Sequence, residues 1–190
     1  MDKEAITGRR AIPEGLSKES ILQGNFLKDE SEAKYVVQFK SGRFIFEKGS
    51  HLTSFRGRQH VLIQFYEHPT KAQKEELEDL GIKLIDYIPE YTWFATVSSR
   101  AVNKVVKSDS IHAIGNILAQ DRVRPEIWNG EFSSFADNQN DTVNLFIEIF
   151  KDADIKTIKR KIKNLGASDI QPGQFPYTLN ITIAKDKLKL

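Results

Sequence analysis

Residues 60–97 read HVLIQFYEHPTKAQKEELEDLGIKLIDYIPEYTWFATV. The segment opens with a continuous apolar run, HVLIQFY, which is typical of a buried strand. Thr70 and Gln73 then have the spacing of a capping box, and Gly81 is a natural left-handed C-cap, so a helix of about eleven residues is expected between them. Two further β-rich runs follow, over residues 82–87 and 92–97, with a Pro-Glu turn in between.

The residues after this segment predict a second helix and a fourth strand. Ser98 and Ser99 are candidate N-caps for a helix whose inward positions follow helical spacing at Val102, Val105 and Val106. Residues 111–117, IHAIGNI, then have strand character. The order β-α-β-β-α-β predicts the split βαβ, or ferredoxin-like, unit.

The same pattern starts again 85 residues later without a gap, which predicts a tandem repeat. In the second copy we expect a strand over residues 143–150, a helix capped by Asp152 or Asp154, and an alternating strand over residues 177–183. No second helix or fourth strand follows, so the second module is expected to be incomplete and the chain to be a piece of a longer polypeptide. The matching pairs are Phe65 with Phe150, Leu77 with Ile162, Leu80 with Leu165, Gly81 with Gly166 and Ile85 with Ile170.

We therefore predict an α+β protein built from tandem ferredoxin-like modules. An extended leader, with a weak helix signal near residues 18–23, comes first. The leader ends in a β-hairpin signal at residues 35–46, where two β-rich runs enclose Gly42. The predicted divisions are a leader and hairpin at 1–59, a complete module at 60–118, a linker at 119–141 and a truncated module at 142–190.

Composition limits the function classes. The 190 residues are 39% hydrophobic and 28% charged, which indicates a soluble globular protein rather than a collagen-like, low-complexity or membrane-spanning chain. The net charge of +2 gives no general case for nucleic acid. The absence of cysteine excludes disulfides, thiol nucleophiles and cysteine metal sites. Residues 1–10 lack the apolar core of a signal peptide, although a secreted precursor expressed without its signal would begin in the same way.

The sequence offers no catalytic constellation. The four histidines form no i, i+4 pair, and no glycine-rich phosphate loop follows a strand, so we expect no enzyme activity, no metal and no cofactor. The first helix is acidic at residues 75–79 and its counterpart is basic at residues 156–163. These runs are interpreted as solvated faces, as surfaces that attract each other and dock the copies, or as a contact for an acidic partner. The glycine-aromatic signature of RNA-binding ferredoxin-like sheets is absent.

The segment from residue 60 to residue 117 resembles the N-terminal prodomain of subtilisin-like serine proteases. The resemblance rests on four stretches: the strand HVLIQF, the helix end LEDLGIKL, the strand pair IDYIPEYTWFATV and the closing AVNKVVKSDSIHAIGNI. The partial second copy resembles the duplicated prodomains of certain bacterial and archaeal enzymes. One departure is that Gly115-Asn116-Ile117 stands where the family's last strand ends in an acidic residue, so the first copy is not expected to supply the cleaved tail.

The resemblance implies a non-catalytic propeptide of a secreted or cell-surface precursor, acting as intramolecular chaperone and inhibitor of a protease domain C-terminal to Leu190. It also implies that Asp86 or Glu90 meets helix N-termini on the protease. Both carboxylates could equally be solvent-exposed turn acids, and Tyr87 and Trp93 could be core residues or contact surface. The alternative function is a stand-alone protein-binding or adhesion module of a cell-surface protein.

Overall fold

The computed structural model confirms an α+β protein and divides the chain into two compact units, one ending at Val123 and one beginning at Arg124. The helix signal near residues 18–23 falls largely outside the described residues, and Val106 lies outside them as well. The structure describes residues 7–17, 20, 27, 30–105, 107–138 and 140–188.

The first unit begins with a small antiparallel sheet, which we call the cover sheet. Its strands are β1 (Arg9–Ile12), β2 (Val36–Phe39) and β3 (Gly42–Phe46), in the order β1-β3-β2. The hairpin predicted at residues 35–46 is confirmed by the pairing of β2 with β3. A 3-10 helix, Glu30–Tyr35, leads into β2.

A five-stranded sheet, which we call the central sheet, follows the cover sheet. β4 pairs with β8 in parallel, and the remaining pairs are antiparallel, in the order β4-β8-β5-β7-β6. β4 and the start of β5 lie before residue 60, within the range 1–59 that the sequence assigned to a leader and hairpin. β4 has only three residues, Gly-Ser-His, so it carries no apolar alternation to reveal it. The strands are β4 (Gly49–His51), β5 (Arg58–Phe65), β6 (Ile82–Ile88), β7 (Thr92–Ser98) and β8 (Ile111–Asn116).

Two helices pack on one face of the central sheet. α1 (Lys71–Asp79) begins with the predicted capping box between Thr70 and Gln73. α2 (Val102–Val105) begins only after Ala101, so neither Ser98 nor Ser99 is its N-cap. The buried core between helices and sheet contains Val61, Ile63, Phe65, Leu77, Ile82, Ala95, Val97, Ala101, Val105, Ile111 and Ile114.

The second unit contains a four-stranded antiparallel sheet, in the order β11-β12-β10-β9, with its main helix on one face. Ile158 and Ile162 of its main helix pack on the apolar side of the sheet, next to Val143 and Leu179. The predicted linker 119–141 contains a 3-10 helix (Gln120–Arg122), α3 and β9, so part of it has regular secondary structure. The elements are α3 (Pro125–Trp128), β9 (Asp137–Asn138), β10 (Thr142–Glu148), α4 (Ile155–Asn164), β11 (Ser168–Pro172) and β12 (Thr178–Ala184).

The ungapped offset of 85 residues is wrong for the first strand of the pattern, although it holds between β6 and β11. In the first unit the Phe65 amide donates to the Tyr91 carbonyl at 2.9 Å, and in the second the Ile149 amide donates to the Tyr177 carbonyl at 2.7 Å. Ile149, rather than Phe150, is therefore the counterpart of Phe65. α4 has ten residues where α1 has nine, and this extra residue restores an offset of 85 at the helix ends. A slip of one residue in a strand exchanges its two faces.

Candidate functional site

The cover sheet lies on the face of the central sheet that the helices leave free. The rings of Phe39 and Phe94 are 5.9 Å apart. At Gly115, an added Cβ would stand only 2.4 Å from Cζ of Phe46, so the glycine allows this ring to approach the sheet backbone. Phe46 and Leu62 are fully buried. The first unit therefore offers no free sheet face at these positions.

Gln64 links the same two layers through hydrogen bonds. Its side chain is fully buried, and the two hydrogens of Nε2 are shared among three acceptors: the Tyr35 carbonyl at 3.2 Å, the Glu90 carbonyl at 3.1 Å and Thr92 Oγ1 at 3.0 Å. A buried amide without partners would cost roughly 1–3 kcal/mol, so these donations hold the cover sheet and the β6–β7 turn in register with β5.

His112, in β8 of the central sheet, also contacts the cover sheet. The ladder between β5 and β8 shifts beside it, which leaves His112 as the extra residue of a bulge and turns its ring toward the cover. The ring stacks on Tyr35 at 3.8 Å, and Nε2 lies 2.9 Å from the Phe46 carbonyl oxygen. Burial lowers the pKa of His112, and the nearby Lys48 acts in the same direction, so the neutral ring is favoured.

A buried ion pair fixes the first strand of the cover. Arg9 Nη1 donates to Asp121 at 2.8 Å, and Nη2 donates to the Asn116 carbonyl at 2.6 Å. The guanidinium also lies 4.2 Å from the ring centre of Phe44. The side chains of Arg9 and Asp121 are only 6% and 2% exposed, so removing either one leaves a buried charge without its partner. These contacts identify the cover as part of the folded unit.

The second unit presents the sheet face that the first unit lacks. We call it the open face and define it by Asn144, Phe146, Asn180 and Thr182. Phe146 occupies the same ladder position as Leu62 of the first unit, because Leu62 pairs with Phe94 and Phe146 pairs with Asn180. Leu62 is fully buried, whereas Phe146 is 51% exposed. The same position is therefore covered in one unit and accessible in the other.

A network of polar side chains occupies the rest of the open face. Thr182 Oγ1 donates to Asn144 Oδ1 at 2.8 Å, and Asn138 Nδ2 donates to the same oxygen at 3.1 Å. These side chains span β9, β10 and β12, so their positions are fixed by three neighbouring strands. The face combines one exposed aromatic ring with preorganised amide and hydroxyl groups, which suits a protein surface better than a small molecule.

The sequence-predicted residues lie together at the β6–β7 hairpin. The rings of Tyr87 and Trp93 are 5.4 Å apart, and His68 lies 5.3 Å from Tyr87 and 4.9 Å from Tyr91. Tyr87 is 41% exposed. Trp93 is half-buried, packs against the helix-side core and lies beneath Lys74 Nζ at 4.7 Å. The aromatic group at the hairpin therefore contains Tyr87 and Trp93 together with His68 and Tyr91, which no sequence pattern had singled out.

The two predicted carboxylates occupy different environments on that hairpin. Asp86 is half-buried in β6, and Glu90 is exposed in the turn. The Glu90 carbonyl accepts from Thr92 Oγ1 at 2.9 Å as well as from Gln64. The backbone of Glu90 therefore has a structural role, while its side chain is free to reach the solvent side of the turn.

Two searches bear on metal binding and membrane insertion. Within the described ranges, no group of three or more histidine, aspartate or glutamate residues could hold a metal ion. No helix in the part of the chain that the structure describes is both long enough and apolar enough to cross a membrane.

The comparisons with known proteins identify one family. Neither the curated proteins nor the solved structures gave a match. The model of a domain family of unknown function, DUF8729, matches residues 13–118. The matched range takes in β2, β3 and the whole central sheet, so the hairpin of the cover and the sheet that it covers fall within one family domain. Because this range is more than half of the chain, the protein belongs to the DUF8729 family.

Proposed function

We propose that the chain is the non-catalytic propeptide region of a secreted subtilisin-like serine protease precursor. Its tandem ferredoxin-like modules would act as intramolecular chaperone and inhibitor of the protease domain. The resemblance over residues 60–117 supports this proposal. So does the order of β5 to β8 in the central sheet, because a β-α-β-β-α-β chain whose strands lie in the order 4-1-3-2 has the ferredoxin-like arrangement.

The observation that carries the proposal is the open face of the second unit. A prodomain that docks through its sheet needs a face that no other part of the chain occupies. Phe146 is half-exposed there, whereas the equivalent Leu62 lies beneath the cover sheet. We therefore assign sheet docking to the second module and not to the complete first module.

The β6–β7 hairpin forms a separate contact in this proposal. Tyr87 and Trp93 supply aromatic surface, and Asp86 and Glu90 supply carboxylates for helix N-termini of the protease. Binding that favours the folded protease over its unfolded form stabilises it by mass action until cleavage releases the propeptide.

The first test is the continuation of the reading frame. We expect the three motifs of a subtilisin-like enzyme, Asp-Thr-Gly, His-Gly-Thr-His and Gly-Thr-Ser, after Leu190. If a sequenced continuation encodes no such domain, the propeptide assignment is wrong and the adhesion-module alternative replaces it.

The second test is refolding of that protease domain in the presence of the chain, followed by its peptidase activity. The wild-type chain should accelerate refolding and inhibit the product, and Phe146→Asp should weaken both effects at least tenfold. Phe135→Asp is the matched control, because Phe135 is 94% exposed in the same unit but lies outside the open face. Equal losses in the two variants would contradict docking through the open face.

A further inference from the structure

The solvent face of α4 concentrates the positive charge of the second unit. Residues 124–190 contain ten basic and nine acidic residues, yet α4 contains five of the basic residues and no acidic one. The unit is thus nearly neutral as a whole, with its cations segregated on one helix. The five residues are Lys156, Lys159, Arg160, Lys161 and Lys163.

Helical geometry collects four of these cations on one side. At about 100° per residue, Lys156, Lys159, Arg160 and Lys163 fall within an arc of about 100°. Ile158 and Ile162 point away from that arc, into the core with the sheet. None of the four cations has an ion-pair partner among the described residues, and Lys156, Arg160 and Lys163 are exposed while Lys159 is half-buried.

Lys187 adds a further cation near the end of α4. It lies beside Gly166, with Cγ 3.8 Å from the position of an added Cβ. Leu165, the C-cap residue, is 68% exposed, but it lies about 180° from Lys156 around the helix and so is not part of the row. α1 of the first unit has the opposite charge, with Glu75, Glu76, Glu78 and Asp79, so the basic row is a property of the second unit alone.

We infer that the basic row of α4 is a docking surface for an anionic lipid membrane. A row of cations without ion-pair partners, on one side of an amphipathic helix, matches a surface of anionic lipid headgroups because each cation near that surface adds attraction. The cations of the row have no aromatic side chains between them for base stacking, which disfavours a single-stranded nucleic acid. The apolar side of the helix already packs on the sheet, so the contact is peripheral.

This membrane contact is compatible with sheet docking but does not depend on it. α4 packs on the side of the sheet opposite to Phe146, so a partner on the open face leaves the basic row free. A membrane assay with the chain alone therefore succeeds or fails independently of the protease proposal.

The test is co-sedimentation of the full chain with phosphatidylcholine vesicles that contain about 30 mol % phosphatidylserine, at about 0.15 M salt. Wild type should bind these vesicles and should not bind pure phosphatidylcholine. Neutralising one cation should weaken binding about fivefold, and K156Q/K159Q/R160Q/K163Q should weaken it by at least a hundredfold. The matched control is K83Q/R100Q/K104Q/K107Q, which removes the same charge from exposed positions of the first unit and should leave binding within about threefold of wild type.

Three results would overturn the inference: equal binding to both kinds of vesicle, equal losses in the two quadruple variants, or wild-type binding by the α4 variant. Heparin separates a membrane from a soluble polyanion. The chain should bind the anionic vesicles at about 0.15 M salt, and binding to heparin without binding to these vesicles would overturn the lipid assignment. Circular dichroism and thermal unfolding establish that each variant is folded, as expected for substitutions on exposed side chains.

Discussion

Gly115→Ala tests the packing of the cover sheet on the central sheet. The new methyl group would lie 2.4 Å from Cζ and 2.8 Å from Cε2 of Phe46, whereas carbon atoms in contact prefer about 3.5–4.0 Å. Phe46 is fully buried, so its ring cannot move into solvent. Gly115 does not have a positive φ, and backbone strain therefore plays no part in the expected effect.

The expected change in the free energy of unfolding is the difference between two opposing contributions. Overpacking by one methyl group costs about 1–3 kcal/mol, and replacing a strand glycine by alanine returns about 0.5–1 kcal/mol of chain entropy. The difference spans about 0–2.5 kcal/mol. Because the contact of 2.4 Å is far below van der Waals distance, we expect the upper part of this range, a net loss of about 1–2 kcal/mol in the free energy of unfolding of the first unit. Urea unfolding followed by Trp93 fluorescence measures it, in a Trp128→Phe background that leaves Trp93 as the single tryptophan.

Phe46→Leu supplies the matched control because leucine lacks both clashing atoms. In that background Gly115→Ala should cost close to nothing, which gives a coupling energy of about 1–2 kcal/mol between the two positions. A neutral Gly115→Ala in the wild-type background would refute the packing. An equal loss in both backgrounds would refute the assignment of the clash to Phe46.

Three other substitutions or conditions have defined outcomes. Asp121→Ala should lower the free energy of unfolding of the first unit by about 3–5 kcal/mol, because it leaves Arg9 charged and buried. Urea unfolding measures this loss, and adding Arg9→Met to the same chain should recover part of it. The pKa of His112 is lowered in the folded chain, so the neutral ring contributes its full stabilisation to the fold above about pH 6.5, the ordinary histidine value. This contribution to the free energy of unfolding is lost as the pH falls from there toward the folded pKa. The same acid dependence of the unfolding free energy in wild type and His112→Gln would contradict this. Thr70→Ala removes the acceptor for the Gln73 amide and should cost about 1 kcal/mol in thermal unfolding, and no measurable change would mean that the cap is not formed in solution.

The run HVLIQFY shows how far the sequence predicts the fold. Its continuous apolar character predicted a buried strand, and Val61 to Phe65 are all buried. A strand buried on both faces needs a second layer, and in the first unit the cover sheet supplies it. The alternation at Tyr177, Leu179, Ile181 and Ile183 predicted a strand with one buried side. Leu179, Ile181 and Ile183 of β12 are buried, whereas Tyr177 is 43% exposed and precedes the strand.

The origin of the cover was beyond sequence reasoning. The leader contributes it through pairings between distant residues, such as Arg9 with Phe46, and through one glycine placed beneath a phenylalanine. Gly115 looks like an ordinary strand-end residue, and Asp121 like an ordinary loop residue, until their partners are known. The helix and the glycine at its end led to the prediction of a repeat, but the one-residue difference in helix length shifted the first strand by one position and hid the exposure of Phe146.

The most direct measurement of the central claim is thiol labelling at the two equivalent ladder positions. The natural chain has no cysteine, so Leu62→Cys and Phe146→Cys each carry a single reactive group. The side chains they replace are 0% and 51% exposed. We predict that the thiol introduced by Phe146→Cys reacts with Ellman's reagent in the folded protein, while that introduced by Leu62→Cys reacts only as fast as the first unit unfolds. Rapid labelling of both would show that the face assigned to the cover sheet is open, and protection of both would show that the second unit has no open face.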